Sequence, residues 1–104
     1  VSEHDETFIN LITAAGEFKS SLVSLETSLL SLQESKAQLL PDQRDQVIAV
    51  LAHMRYALSE ATAKLAMWKL NPEKLFAERI PECESLIISA NLLLLQCEQI
   101  VFRL

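Results

Sequence analysis

Two cysteines and two histidines are the side chains of this 104-residue chain best suited to nucleophilic, metal-binding or proton-transfer chemistry. Their spacing decides what they can do. Cys83 and Cys97 stand fourteen residues apart within one segment of helical periodicity. The helical rise separates them by about 21 Å, far beyond the roughly 7 Å within which two Cα atoms can be bridged. They cannot pair with each other. Both fall on the apolar seam of their segment, where a free thiol packs as a small hydrophobe, and free thiols fit a reducing compartment. Zinc needs cysteines and histidines closely spaced on one face. His4 and His53 are remote from each other and from both cysteines, so no metal and no other cofactor is expected. Carboxylate pairs such as Glu17/Glu26 and Glu82/Glu84 lack a neighbour that would raise one pKa for acid–base work. The single glycine excludes glycine-rich phosphate loops, and there is no nucleophile elbow. These residues do not point to an enzyme.

The one string with a catalytic alternative is LAHMRYALSEA, around His53. Phosphotransfer histidines sit exposed on long bundle helices, with a basic residue nearby to balance phosphate charge. The string resembles the His-x-x-Arg and His-x-x-Lys patterns of histidine kinase dimerisation helices and histidine phosphotransfer domains. That resemblance implies a phosphotransfer role for His53. The pattern departs at the basic residue: Arg55 comes one position early, Tyr56 stands in its place, and no small residue follows the histidine. The ordinary reading of a flanking histidine is a solvated helix surface.

The elements that carry these residues follow from composition and period. Half the chain is apolar, 22% is charged, and there are one glycine and three prolines. Leu, Ala, Glu, Gln, Lys and Ser dominate, which is a helix composition long enough to fold as one domain over 1–104. The net charge is −5 and the nine Lys and Arg are scattered singly, so nucleic acid and anionic membranes are not expected partners. The acidic start VSEHDE is no secretory leader, and the first residue, Val, is compatible with a piece of a longer chain. The most apolar window, 86–104, is interrupted by Asn91, Gln96, Glu98, Gln99 and Arg103, so a soluble, cytoplasmic, acidic protein is expected rather than a membrane span.

Three segments keep a 3-4 apolar spacing. The first runs Phe8, Leu11, Ala15, Phe18, Leu22, Leu25, Leu29, Leu32, Lys36, Leu39; the second Val47, Leu51, Met54, Leu58, Ala61, Leu65, Trp68; the third Phe76, Ile80, Cys83, Ile87, Ala90, Leu94, Cys97, Val101, Leu104. This is coiled-coil-like phasing. Ser2 or Asp5 can cap the first helix. Pro41 ends that helix and Asp42 caps the second; Asn71 caps the third with Pro72 at its first position and Glu73 in its first turn. The expected fold is all-α, an antiparallel up-down-up bundle of three long helices at about 5–39, 42–70 and 72–104. Pro81 either kinks the third helix or restarts it after a short turn over 72–79. The segment NPEKLFAERIPE reads as a connector, and Trp68 and Met67 as a core plug and its neighbour rather than a ligand site.

Once the third seam is removed, Ile88, Leu92, Leu95 and Phe102 recur at intervals of 4, 3 and 7 on a different face. Leu86, Leu93 and Ile100 widen the core side. The run of four leucines at 92–95 therefore divides: Leu93 and Leu94 inward, Leu92 and Leu95 outward. In the first helix Ile9, Val23 and Leu30 share one face, with Gly16 in register. Three helices cannot enclose the third, so its outer face is expected to be exposed and to serve association. The expected function is a non-enzymatic protein–protein interaction module of adaptor, chaperone or regulatory type. Its partner is a second copy, as in a homodimer, or a partner's amphipathic helix.

Overall fold

The computed structural model describes residues 3–70 and 77–104, with side chains from residue 7 onward. It is a bundle of three helices: α1 (Glu3–Glu34), α2 (Pro41–Leu70) and α3 (Ile80–Arg103). Every described seam residue except Lys36 is buried or half-buried, and no polar or charged residue is buried among those described. The 3-4 spacing places these side chains on one stripe of each helix, and three stripes facing inward form the core.

Two contacts fix the directions. Phe8, near the start of α1, meets Trp68, near the end of α2, edge-to-face with ring centroids 5.2 Å apart. Phe8 also shares a core cluster with Ile80 and Cys83 at the start of α3, while Leu22 shares one with Cys97. α1 and α3 therefore run parallel and α2 runs against both. The bundle is a rod of 51 × 21 × 20 Å with a radius of gyration of 16.1 Å, against about 13 Å for an average domain of this length. α3 packs along both other helices, whereas α1 and α2 touch only briefly. The gap between them is a surface groove of about 350 Å³ bordered by Asn10, Ala14 and Phe18 of α1 and Ala57, Glu60 and Lys64 of α2.

The helix ends differ from the sequence expectation in ways that have local causes. α1 stops at Glu34 rather than 39, because Lys36 adopts a left-handed conformation (φ 58°). The Lys36 N–H donates to the Gln33 carbonyl at 3.1 Å and the Ala37 N–H to the Leu32 carbonyl at 3.0 Å. These are the paired bonds of a left-handed C-terminal cap, which usually has glycine where Lys36 stands. Leu39 is outside the helix yet half-buried against the core, which is why the apolar period appeared to continue.

Pro41 begins α2 instead of merely ending α1. Its missing N–H costs nothing at a first helical position. Leu40, not Asp42, takes the cap position: its N–H donates to Gln43 Oε1 at 3.2 Å, and its carbonyl accepts the first helical bond, from the Arg44 N–H at 2.9 Å. Asp42 sits in the first turn, where its charge complements the helix dipole.

Likewise α3 is not continuous from 72. It begins at Ile80 with Pro81 in its first turn and Arg79 as cap, after a turn at 77–79, so Pro81 starts the helix and no hydrogen bond is lost to a kink. Asp5 lies inside α1 rather than capping it. Ser2 and the expected roles of Asn71, Pro72, Glu73 and Phe76 lie outside the described residues.

Two backbone positions yield a stability test. A Cβ built on Gly16 meets nothing within 4 Å, so Gly16→Ala should stabilise the helix interior by about 1 kcal/mol. Lys36→Gly should relieve the left-handed penalty, also by about 1 kcal/mol. In thermal unfolding each should raise Tm by about 4–8 °C.

Candidate protein-binding surface

The residues suited to chemistry are separated or already engaged. Cys83 and Cys97 are free thiols, both buried. Burial, followed by the nearby Glu26 and Glu98 charges, pushes the Cys97 thiol up to about 11. Burial, with Glu82, also raises Cys83. A raised pKa disfavours the nucleophilic thiolate. The Cys97 thiol points at the Leu22 carbonyl of α1, with Sγ 3.8 Å from the oxygen, and acts as a small spacer at that crossing. No cluster of three or more His, Cys, Asp or Glu that could hold a metal exists among the described residues.

His53 is exposed on α2. Arg55, two residues on, is turned about 200° around the helix from it and pairs with Glu98 of α3. The basic residue of the phosphotransfer-like string thus serves the α2–α3 contact. Of the carboxylate pairs, Glu82 pairs with Arg79 at 3.4 Å and Glu84 pairs with Lys69.

The two ion pairs Arg55–Glu98 and Lys69–Glu84 also locate the outer stripe. They set one flank of α3, carrying Glu84 and Glu98, against α2. Ile88 and Phe102 each follow one of these glutamates by four residues, and Leu95 lies midway between them. The Ile88, Leu95 and Phe102 row is therefore the next one outward on the α2 side, with Leu92 beside it. All four are exposed, Phe102 most of all at 70%. Leu94 is buried and Leu93 half-buried, so the leucine run divides as its spacing requires.

The stripe continues onto α2, which the sequence reading missed. A depression of about 190 Å³ between the helices is lined by Ile48, Leu51, Ala52 and Arg55 of α2 and by Glu98, Val101 and Phe102 of α3. Ile48 is 40% exposed. Its signal was present, an isoleucine next to the seam residue Val47, but only the antiparallel register shows that it lines the same depression as Phe102. Together Ile48, Ile88, Leu92, Leu95 and Phe102 form one apolar facet.

Ile9, Val23 and Leu30 are also exposed, but the structure does not bring them to that facet. They lie on the side of α1 away from the groove residues Asn10 and Ala14 that border α2, next to the row of buried Ile12. That is the α1–α3 side of the bundle.

By length and composition α3 could cross a membrane, its 18-residue window having a mean hydropathy of 1.6. Here its inner row, Cys83, Ile87, Ala90, Leu94, Cys97 and Val101, is buried in the bundle. The chain matches no known protein family, no curated protein and no solved structure in comparisons with each.

The buried thiols carry a pH test. Unfolding returns Cys97 from about 11 to its ordinary value of 9.0. The folded state therefore binds the proton more tightly than the unfolded state. Its contribution is fully present below pH 9 and is lost as pH rises from 9 toward 11. Denaturant midpoints of the wild type should fall across that window, and Cys97→Ala should flatten the decline. Thiol labelling at pH 8 should be slow in the folded protein and fast in denaturant.

Proposed function

We propose that this protein is a non-enzymatic interaction module that docks a helix on the α2–α3 facet formed by Ile48, Ile88, Leu92, Leu95 and Phe102. The observation that supports the reading is the exposure of this apolar row, 52% for Ile88 and 57% for Leu92, on a helix whose opposite row is fully packed. Scattered apolar side chains on a surface are ordinary, whereas a contiguous row at helical spacing matches what one face of another helix presents. The depression beside Phe102 and Ile48 can admit one large apolar side chain of the docked helix.

The test separates docking from folding. Leu92→Glu and Leu95→Glu replace exposed side chains, so helicity should be kept and the single chain should lose no more than about 0.5 kcal/mol of its own stability. Association, read as solution mass or as capture of a partner from the native cell extract, should be lost. A wild-type chain that stays monomeric and captures nothing sensitive to Leu92→Glu would sink the reading.

A further inference from the structure

Resting on the docking reading, we infer that the occupant of this facet is a second copy of the chain, its α3 packed antiparallel to the first. The outer row of α3 runs Pro81, Ser85, Ile88, Leu92, Leu95, Gln99, Phe102, and every one of these residues is exposed. The steps alternate between four and three, so the row is a second coiled-coil seam on the back of the helix whose first seam holds the bundle together. A two-fold pair must match a surface to itself. With the axis between residues 93 and 94, Leu92 meets the second copy's Leu95 and Leu95 meets its Leu92. Four leucines then form the centre. Toward the ends Ile88 lies opposite Gln99 and Phe102 opposite Ser85, so each large apolar side chain faces a flexible or small polar one.

The charges match themselves in the same register. The flank of the seam that faces away from α2 carries Glu82, Ser89, Gln96 and Arg103, seven residues apart. Antiparallel pairing sets Glu82 against the second copy's Arg103 at both ends, and Ser89 against Gln96 between them. Arg103 makes no ion pair among the described residues, and Glu82 pairs only with Arg79 of its own turn, its side chain 57% exposed. On the other flank Glu84 and Glu98 are already neutralised by Lys69 and Arg55. The net charge of −5 therefore does not become a repulsive stripe along the seam. A parallel pair would instead bring Glu82 level with Glu82, Arg103 level with Arg103, and like ends of the helix dipoles together.

The area is sufficient. The five apolar side chains of the facet are 40–70% exposed and together present on the order of 500 Å², the size of a large apolar surface patch. Two copies covering it from both sides remove about 1,000 Å², the threshold that a biological interface should clear.

The test is sedimentation equilibrium of the full chain in low salt, comparing wild type, Glu82→Lys, Arg103→Glu and the double variant, with helicity checked by circular dichroism. The wild type should associate to twice its 11.7 kDa. Each single reversal places like charges at both ends of the pair and should weaken dimerisation roughly tenfold. The double variant should restore it, and high salt should erase the difference between variants. Leu92→Glu should be monomeric. A wild-type monomer, or a dimer indifferent to both reversals, overturns the inference. A monomer that still captures another protein through Leu92 overturns self-pairing and leaves the docking reading standing. A monomer that binds phosphatidylcholine vesicles through Leu92 overturns both in favour of a lipid surface.

Discussion

The packing of α3 between its two neighbours is the constraint on which the rest of the molecule depends. α1 and α2 make little contact with each other, so the position of each is set by α3. Its inner row alternates large with small side chains, Ile87 and Leu94 with Cys83, Ala90 and Cys97. The small ones let α1 approach until Cys97 Sγ lies 3.8 Å from the Leu22 carbonyl. On the other flank Arg55–Glu98 and Lys69–Glu84 repeat at fourteen-residue intervals running in opposite directions along the two helices. Both pairs are partly exposed, and such pairs contribute about 1 kcal/mol or less each. Their weight lies in fixing the register, while apolar burial supplies the stability.

That constraint explains what could be read from the chain and what could not. The inner seams were legible because burial on one stripe is a local pattern, visible in the periodicity of each helix by itself. The division of the leucine run followed from the same arithmetic. Helix ends were less legible because two signals there carry more than one meaning. Lys36 gives no hint of a left-handed cap, and Leu39 reaches the core from a loop, so the apolar rhythm outlasted the helix. Pro41 and Pro81 are helix breakers in an interior and helix starters in a first turn; only the chain's actual path distinguishes the two.

The facet was half legible for a related reason. Its α3 residues share one helix and therefore one period. Ile48 and Ala52 join them only through the antiparallel register of α2, a long-range relation that no window of sequence contains. Arg55 illustrates the same point from the opposite direction. Read along the chain it accompanies His53, yet two residues of helix place it on another side, where it meets Glu98. Proximity in sequence suggested a phosphate partner; the fold spends that cation on helix pairing.

The α3 facet and the α1 row differ in density. Ile9, Val23 and Leu30 are spaced by fourteen and seven residues, with Gly16 leaving a gap between the first two. They share one face but are sparser than the α3 residues, and scattered apolar side chains of this kind are ordinary on protein surfaces. On α3, Ile88, Leu92, Leu95 and Phe102 fall within fifteen residues, and α2 adds Ile48 beside them. Their exposed area contributes nothing to the stability of the single chain, because water covers it in the folded and unfolded states alike. It returns free energy only on being covered. At about 25 cal/mol per Å², a contiguous facet yields enough on burial to offset the several kcal/mol lost when two bodies become one, whereas separated spots do not.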